Sequence, residues 1–221
     1  MSSFNFYWTK SNQSTELIYR YIANIILPEN YLKNAKAIWK FSIYRFLVNK
    51  LKADQLSDVA DELISVISDK QKIELNFYDF LGADLIEIAD WDVSPPENLG
   101  KRKKDFESAY KKSVEKEYWF KNNILSEYFN NIKLDINNTS KFLEKVFNDY
   151  KSEKITLGEL SIICFEVMEI NQKYKGSIFE RCQDKVSIVN DASFILPTYF
   201  YNEEEAGKLK QSVLKQVGFI R

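Results

Sequence analysis

From Ser14 onward, apolar residues recur three and four positions apart, the period that lines one face of an α-helix. Ser14 is placed to cap a first helix carrying Leu17, Ile18, Tyr21, Ile22 and Ile25, with Pro28 just past its end. A second helix, Glu29 to Lys52, is apolar around most of its circumference through Leu32, Ala35, Ile38, Trp39, Ile43, Phe46 and Leu47. That pattern predicts a central position. The third, Asp54 to Asp69, has the cleanest stripe: Leu56, Val59, Ala60, Leu63, Ile64 and Ile67 oppose Asp58, Asp61 and Glu62. Ile73, Leu75 and Phe77 alternate like a short strand near residues 73–77, whereas from Asn76 the spacing through Leu81, Leu85 and Ile88 is helical.

The dipeptide Pro95-Pro96, with Gly100 close by, must interrupt that pattern. Beyond it the spacing predicts one long helix from Lys101 to about Ile132, apolar at Phe106, Ala109, Tyr110 and Val114 and again at Leu125, Tyr128, Phe129 and Ile132. Asn137, Asn138 and Thr139 read as turn and cap residues before a helix over Ser140 to Lys151. Thr156-Leu157-Gly158-Glu159 is a capping box, a hydroxyl followed three residues later by a carboxylate. The helix it opens carries Leu160, Ile163, Cys164, Val167 and Met168 and should be buried. Gly176 separates it from a helix with Phe179, Cys182, Val186 and Val189, which Pro197 is expected to end. The last helix starts at Asn202, with Glu203, Glu204 and Glu205 in its first turn, where acids complement the helix dipole.

The expected fold class is therefore all-α: an irregular bundle of about eight helices forming a single domain over residues 1–221. Within it the loop Val93 to Gly100 sets off sub-lobes 1–93 and 101–221. Composition agrees. Six glycines and four prolines in 221 residues are too few for the many tight turns of an all-β fold, and 45% hydrophobic residues can fill a core. No internal repeat supports a solenoid.

The chain contains no histidine. That removes Ser-His-Asp and Cys-His catalysis, imidazole-bearing zinc sites and Glu-x-x-His di-iron bundles. Carboxylate, lysine or tyrosine chemistry remains open, but no motif carries it. The glycines form neither GxGxxG nor a phosphate-binding GxxxxGK[ST] loop, and there is no CxxC. The triplet Asp149-Tyr150-Lys151 has the acid-x-lysine form of some nucleases but falls at a predicted helix end rather than on a strand. Asp84, Glu87, Asp90 and Asp92 supply oxygen ligands of the kind hard cations take, without the central glycine of a calcium loop. The reading assigns no catalytic residue, no metal and no cofactor. Cys164 and Cys182, both in apolar surroundings, read as buried thiols in a reducing compartment. The first ten residues lack the basic-then-apolar pattern of a secretory signal, and no apolar run reaches membrane-spanning length. The expectation is a cytoplasmic protein without membrane contact.

Charge is segregated along this nearly neutral chain. Residues 73–100 hold seven acids and no base, and the next four residues are Lys101, Arg102, Lys103 and Lys104. Solvated or internally paired charge is the ordinary outcome of such a run. The functional alternative is an acidic strip of Asp79, Asp84, Glu87, Asp90, Asp92 and Glu97 that docks on a basic protein surface. Together with the missing chemistry, this leads to the expectation of a non-enzymatic interaction module, an inhibitor or immunity-type protein that masks its partner. A second expectation is a nucleic-acid face built from Lys33, Lys36 and Lys40, near Trp39, Phe41 and Tyr44, and from Lys101, Arg102, Lys103 and Lys104. The absence of an overall basic balance weighs against it. Cations at a helix start oppose the dipole, so the Lys101–Lys104 cluster points to pairing with the preceding acids or with a phosphate. A carboxylate-based enzyme is the third reading.

Overall fold

The computed structural model describes residues 31–66, 85–121, 124–134, 138–200 and 202–218. The helix expected after Ser14 and the strand-like stretch near 73–77 lie outside them. The fold is all-α: among the described residues there are nine α-helices, short 3-10 turns and no strand. The chain divides into two compact units, Met1–Ser113 and Val114–Arg221, and Pro95-Pro96 falls inside the first.

In the first unit, α1 (Tyr31–Leu47) packs against α2 (Ala53–Val66) and against α4 (Leu99–Ser113), while α2 also covers the short α3 (Leu85–Ala89). The near-continuous apolar surface of α1 predicted a central helix, and Trp39, Phe41, Ile43 and Tyr44 are buried. Leu56, Val59, Ala60 and Leu63 of α2 are buried as its stripe requires. A 3-10 turn, Asp90–Asp92, follows α3 and plants Trp91 in the core, stacked on Phe106 of α4 at 5.9 Å between ring centres. Ser57 of α2 ties α2 to α3 by donating to the Ala89 carbonyl at 2.5 Å.

In the second unit, α7 (Leu157–Lys173) is the hub: α5 (Ile124–Leu134), α6 (Thr139–Lys151) and α8 (Val186–Tyr199) pack on it, and α9 (Glu203–Gln216) packs on α8. The predicted capping box forms, whereas Asn138, at the N-cap of α6, makes no side-chain cap bond. Thr156 and Glu159 make the reciprocal bonds of the capping box, and the Asn202 side chain accepts from Glu205 N–H at 3.2 Å.

Three expectations are corrected. The helix expected from Lys101 to Ile132 stops at Ser113, and α5 begins at Ile124. No proline or glycine breaks it; instead residues 117–121 give their backbone groups to the start of α7. Glu117 O accepts from Gly158 N–H at 3.0 Å, Trp119 O accepts from the Thr156 hydroxyl at 3.0 Å, and Lys121 N–H donates to the Glu159 carboxylate at 2.5 Å. Second, Phe179, Cys182 and Val186 do not share a helix. Two 3-10 turns, Phe179–Arg181 and Gln183–Lys185, meet at Cys182, whose backbone (φ −144, ψ 48) is not helical. Third, Pro197 sits inside α8 rather than ending it. Proline frees the carbonyl four residues back, here Ser193. The buried Ser161 hydroxyl of α7 donates to that carbonyl at 3.2 Å and accepts from Leu196 N–H at 3.0 Å, repairing the helix from outside.

With few glycines available, helices end on other residues. Asn49, Glu153 and Lys175 take the left-handed conformation (φ 62, 57 and 54) just past α1, α6 and α7. Each is the pivot of a Schellman turn, as in Gly176 N–H to Asn171 O at 2.8 Å with Lys175 N–H to Gln172 O at 3.0 Å.

Candidate functional site

The acid-to-base transition around Pro95-Pro96 is carried by α3, the 3-10 turn after it, an exposed loop and the start of α4. Four of its acids can be placed. Glu87 forms an ion pair with Arg102, fifteen residues on, so part of the acidic run is paired within its own unit. Asp90 and Glu97 are exposed, and neither has an ion-pair partner among the described residues. Asp92 closes the 3-10 turn. Asp79 and Asp84 lie outside the described residues. Between these acids the side chain of Val93 is 84% exposed, the most exposed large apolar group among the described residues. Sequence reasoning named the acids but passed over Val93, because a single valine before Ser-Pro-Pro carries no periodic signal.

The basic cluster is split by the packing of α4. Arg102, besides holding Glu87, lies over the Phe106 ring at 5.5 Å. Lys103 folds back onto α1, donating to the Asn49 side chain at 2.5 Å and sitting 4.7 Å from the centre of the Phe46 ring. Burial lowers its pKa from the ordinary lysine value. Lys101 and Lys104 remain exposed. Pairing with the preceding acids thus accounts for Arg102, and packing accounts for Lys103. Of the other proposed nucleic-acid residues, Lys33, Lys36 and Lys40 all lie on α1, and Lys40 is half-buried. The aromatics interleaved with them, Trp39, Phe41 and Tyr44, are core residues and offer no stacking platform to solvent.

The triplet Asp149-Tyr150-Lys151 resolves into a structural cluster. Asp149 is buried at the end of α6 and accepts from the Tyr128 hydroxyl of α5 at 2.7 Å and from Lys154 at 2.8 Å, with Lys145 at 3.6 Å. Lys145 also lies 4.6 Å from the centre of the Tyr128 ring. Its lysine partners are therefore the fourth residue before it and the fifth after it, not Lys151. Burial alone would push the Asp149 carboxyl up; hydrogen bonds from Lys154 and Tyr128 and the two lysine charges outweigh it and hold the group below the usual range. The tyrosines with displaced hydroxyls move the wrong way for proton abstraction. Burial raises Tyr118, Tyr128 and Tyr199, and pushes Tyr150 up to about 12. Cys164 and Cys182 are buried free thiols, both raised by burial. Among the described residues, no three Cys, Asp or Glu side chains are grouped to hold a metal ion, and no helix is long and apolar enough to cross a membrane.

Comparison with known proteins yields no relative: no family model, no curated protein and no solved structure matches the chain.

Proposed function

We propose that the protein is a non-enzymatic interaction module, an inhibitor or immunity-type protein that masks a partner with a basic surface through the loop from Asp90 to Glu97. The observation that carries this reading is Val93, 84% exposed and flanked by the exposed carboxylates Asp90 and Glu97. An apolar contact ringed by charge is the usual anatomy of a recognition patch. Pro95 and Pro96 fix the backbone on one side, so the loop has less freedom to lose on binding. Glu87, neutralised by Arg102, belongs to the scaffold rather than to the contact.

The test compares the wild-type protein with the variant carrying Asp90→Lys, Val93→Asp and Glu97→Lys. A partner captured by the wild type from cell lysate is purified, and association is followed by stopped flow. Steering by the acids should make the wild-type rate fall as salt rises, and the variant should associate about tenfold more slowly at low salt. Equal rates for the two proteins, with equal melting temperatures, would overturn the reading.

A further inference from the structure

The second unit carries a different exposed feature. At the end of α7 the chain reads Lys173-Tyr174-Lys175-Gly176, and Lys173, Tyr174 and Lys175 are all exposed, Tyr174 to 46%. The turn is not slack. The two Schellman bonds fix Lys175 and Gly176, Ser177 N–H donates to Tyr174 O at 3.2 Å, and the Asn171 side chain accepts from Phe179 N–H at 3.0 Å. An exposed tyrosine is thereby held on a fixed backbone, flanked in sequence by two exposed lysines. Lys173 has a structural explanation, since a cation in the last turn suits the helix dipole. Tyr174 leaves nearly half of its surface to solvent, 46%, and Lys175 takes a left-handed position where glycine would be more stable.

We infer that this turn is a binding site for single-stranded nucleic acid, with a base stacked on the Tyr174 ring and neighbouring phosphates on Lys173 and Lys175. Stacking platforms flanked by cations bind single strands with little sequence preference, because every base has a π-face. The site needs no basic balance over the whole chain, only a local one. It lies apart in sequence from the Lys101–Lys104 cluster and from the core aromatics of α1.

The experiment is fluorescence anisotropy with a labelled oligothymidylate of about twelve nucleotides, titrated with the full chain at about 20 mM salt. The wild type should bind saturably, with log affinity falling by roughly 0.7 for each phosphate neutralised per unit of log salt, near 1.4 for two lysines. Tyr174→Ala should weaken binding about tenfold with the salt slope unchanged, and Tyr174→Phe should keep it, since stacking needs only the ring. Lys175→Gly is the informative control. It relieves the left-handed position, so the melting temperature should rise while the salt slope drops by about one phosphate. Absence of saturable wild-type binding would overturn the inference. So would wild-type affinity in Tyr174→Ala, or binding that is lost in Lys101→Glu/Lys104→Glu while Tyr174→Ala retains it.

Discussion

Asp149 accepts donors from a neighbouring helix and from the turn that follows its own, and it contributes to stability only while ionised. Its folded pKa is depressed, so the contribution is present above the unfolded value of about 4. It is lost as pH falls through the folded value, because the unfolded chain takes up the proton first. Asp149→Asn should cost roughly 1–3 kcal/mol at neutral pH and flatten the loss of stability below about pH 4. Urea unfolding at pH 7 and in acid checks this, and an acid limb as steep as in the wild type would show the cluster to be unimportant. At this scale the sequence was legible where partners are close along the chain. The Thr156–Glu159 box is a pattern within four residues, and it forms. Tyr128 and Lys154 as partners of Asp149 were not legible, because a tertiary approach of α5 to α6 brings Tyr128 in and a left-handed turn at Glu153 brings Lys154 back.

At the scale of elements, periodicity located the helices but missed some of their boundaries. α2, α6, α7 and α9 start where capping and spacing predicted, to within a residue. The break at Ser113 carries no local signal, because the residues from Lys101 to Ile132 all tolerate a helix. The decision is made by Thr156, Gly158 and Glu159, some forty residues away, which offer residues 117–121 better partners than a helix would. Gly158 is the most exacting of the three: a Cβ there would fall on the Tyr118 backbone carbonyl. Gly158→Ala should therefore destabilise the protein by about 3 kcal/mol, as overpacking does when the obstacle is backbone. Alanine is the better helix former, so a stabilised variant in thermal unfolding would show that the approach of residues 117–121 to α7 is looser than described.

At the scale of the molecule, the all-α class followed from scarce glycine and proline and from the dominant helical period. The charge segregation of the sequence reappears in part as internal pairing, through Glu87 and Arg102, and in part as exposed charge on the loop and the first turn of α4. What spacing could not show is which charges would be consumed, since that depends on the rotation of α4 against α1 and α3. The clasp between residues 117–121 and α7, the Glu117–Lys210 ion pair at 2.7 Å and the Tyr118–Tyr199 ring stack at 3.8 Å all fall within Val114–Arg221. Residues 114–221 produced alone should then keep a helical circular dichroism spectrum and melt in one cooperative transition. A broad, non-cooperative melt would show that this unit depends on the rest of the chain.

The serine that mends α8 also ties the timing of two helices together. Until α7 lies alongside, the turn of α8 around Pro197 has a carbonyl with no donor in its own helix, so it is a poor helix in isolation. α8 is thus stable to its end only as half of a pair. Opening that releases Ser161 should expose the Leu196 amide to solvent exchange along with the start of α7, so the two segments behave as one cooperative unit even though they are distant in sequence.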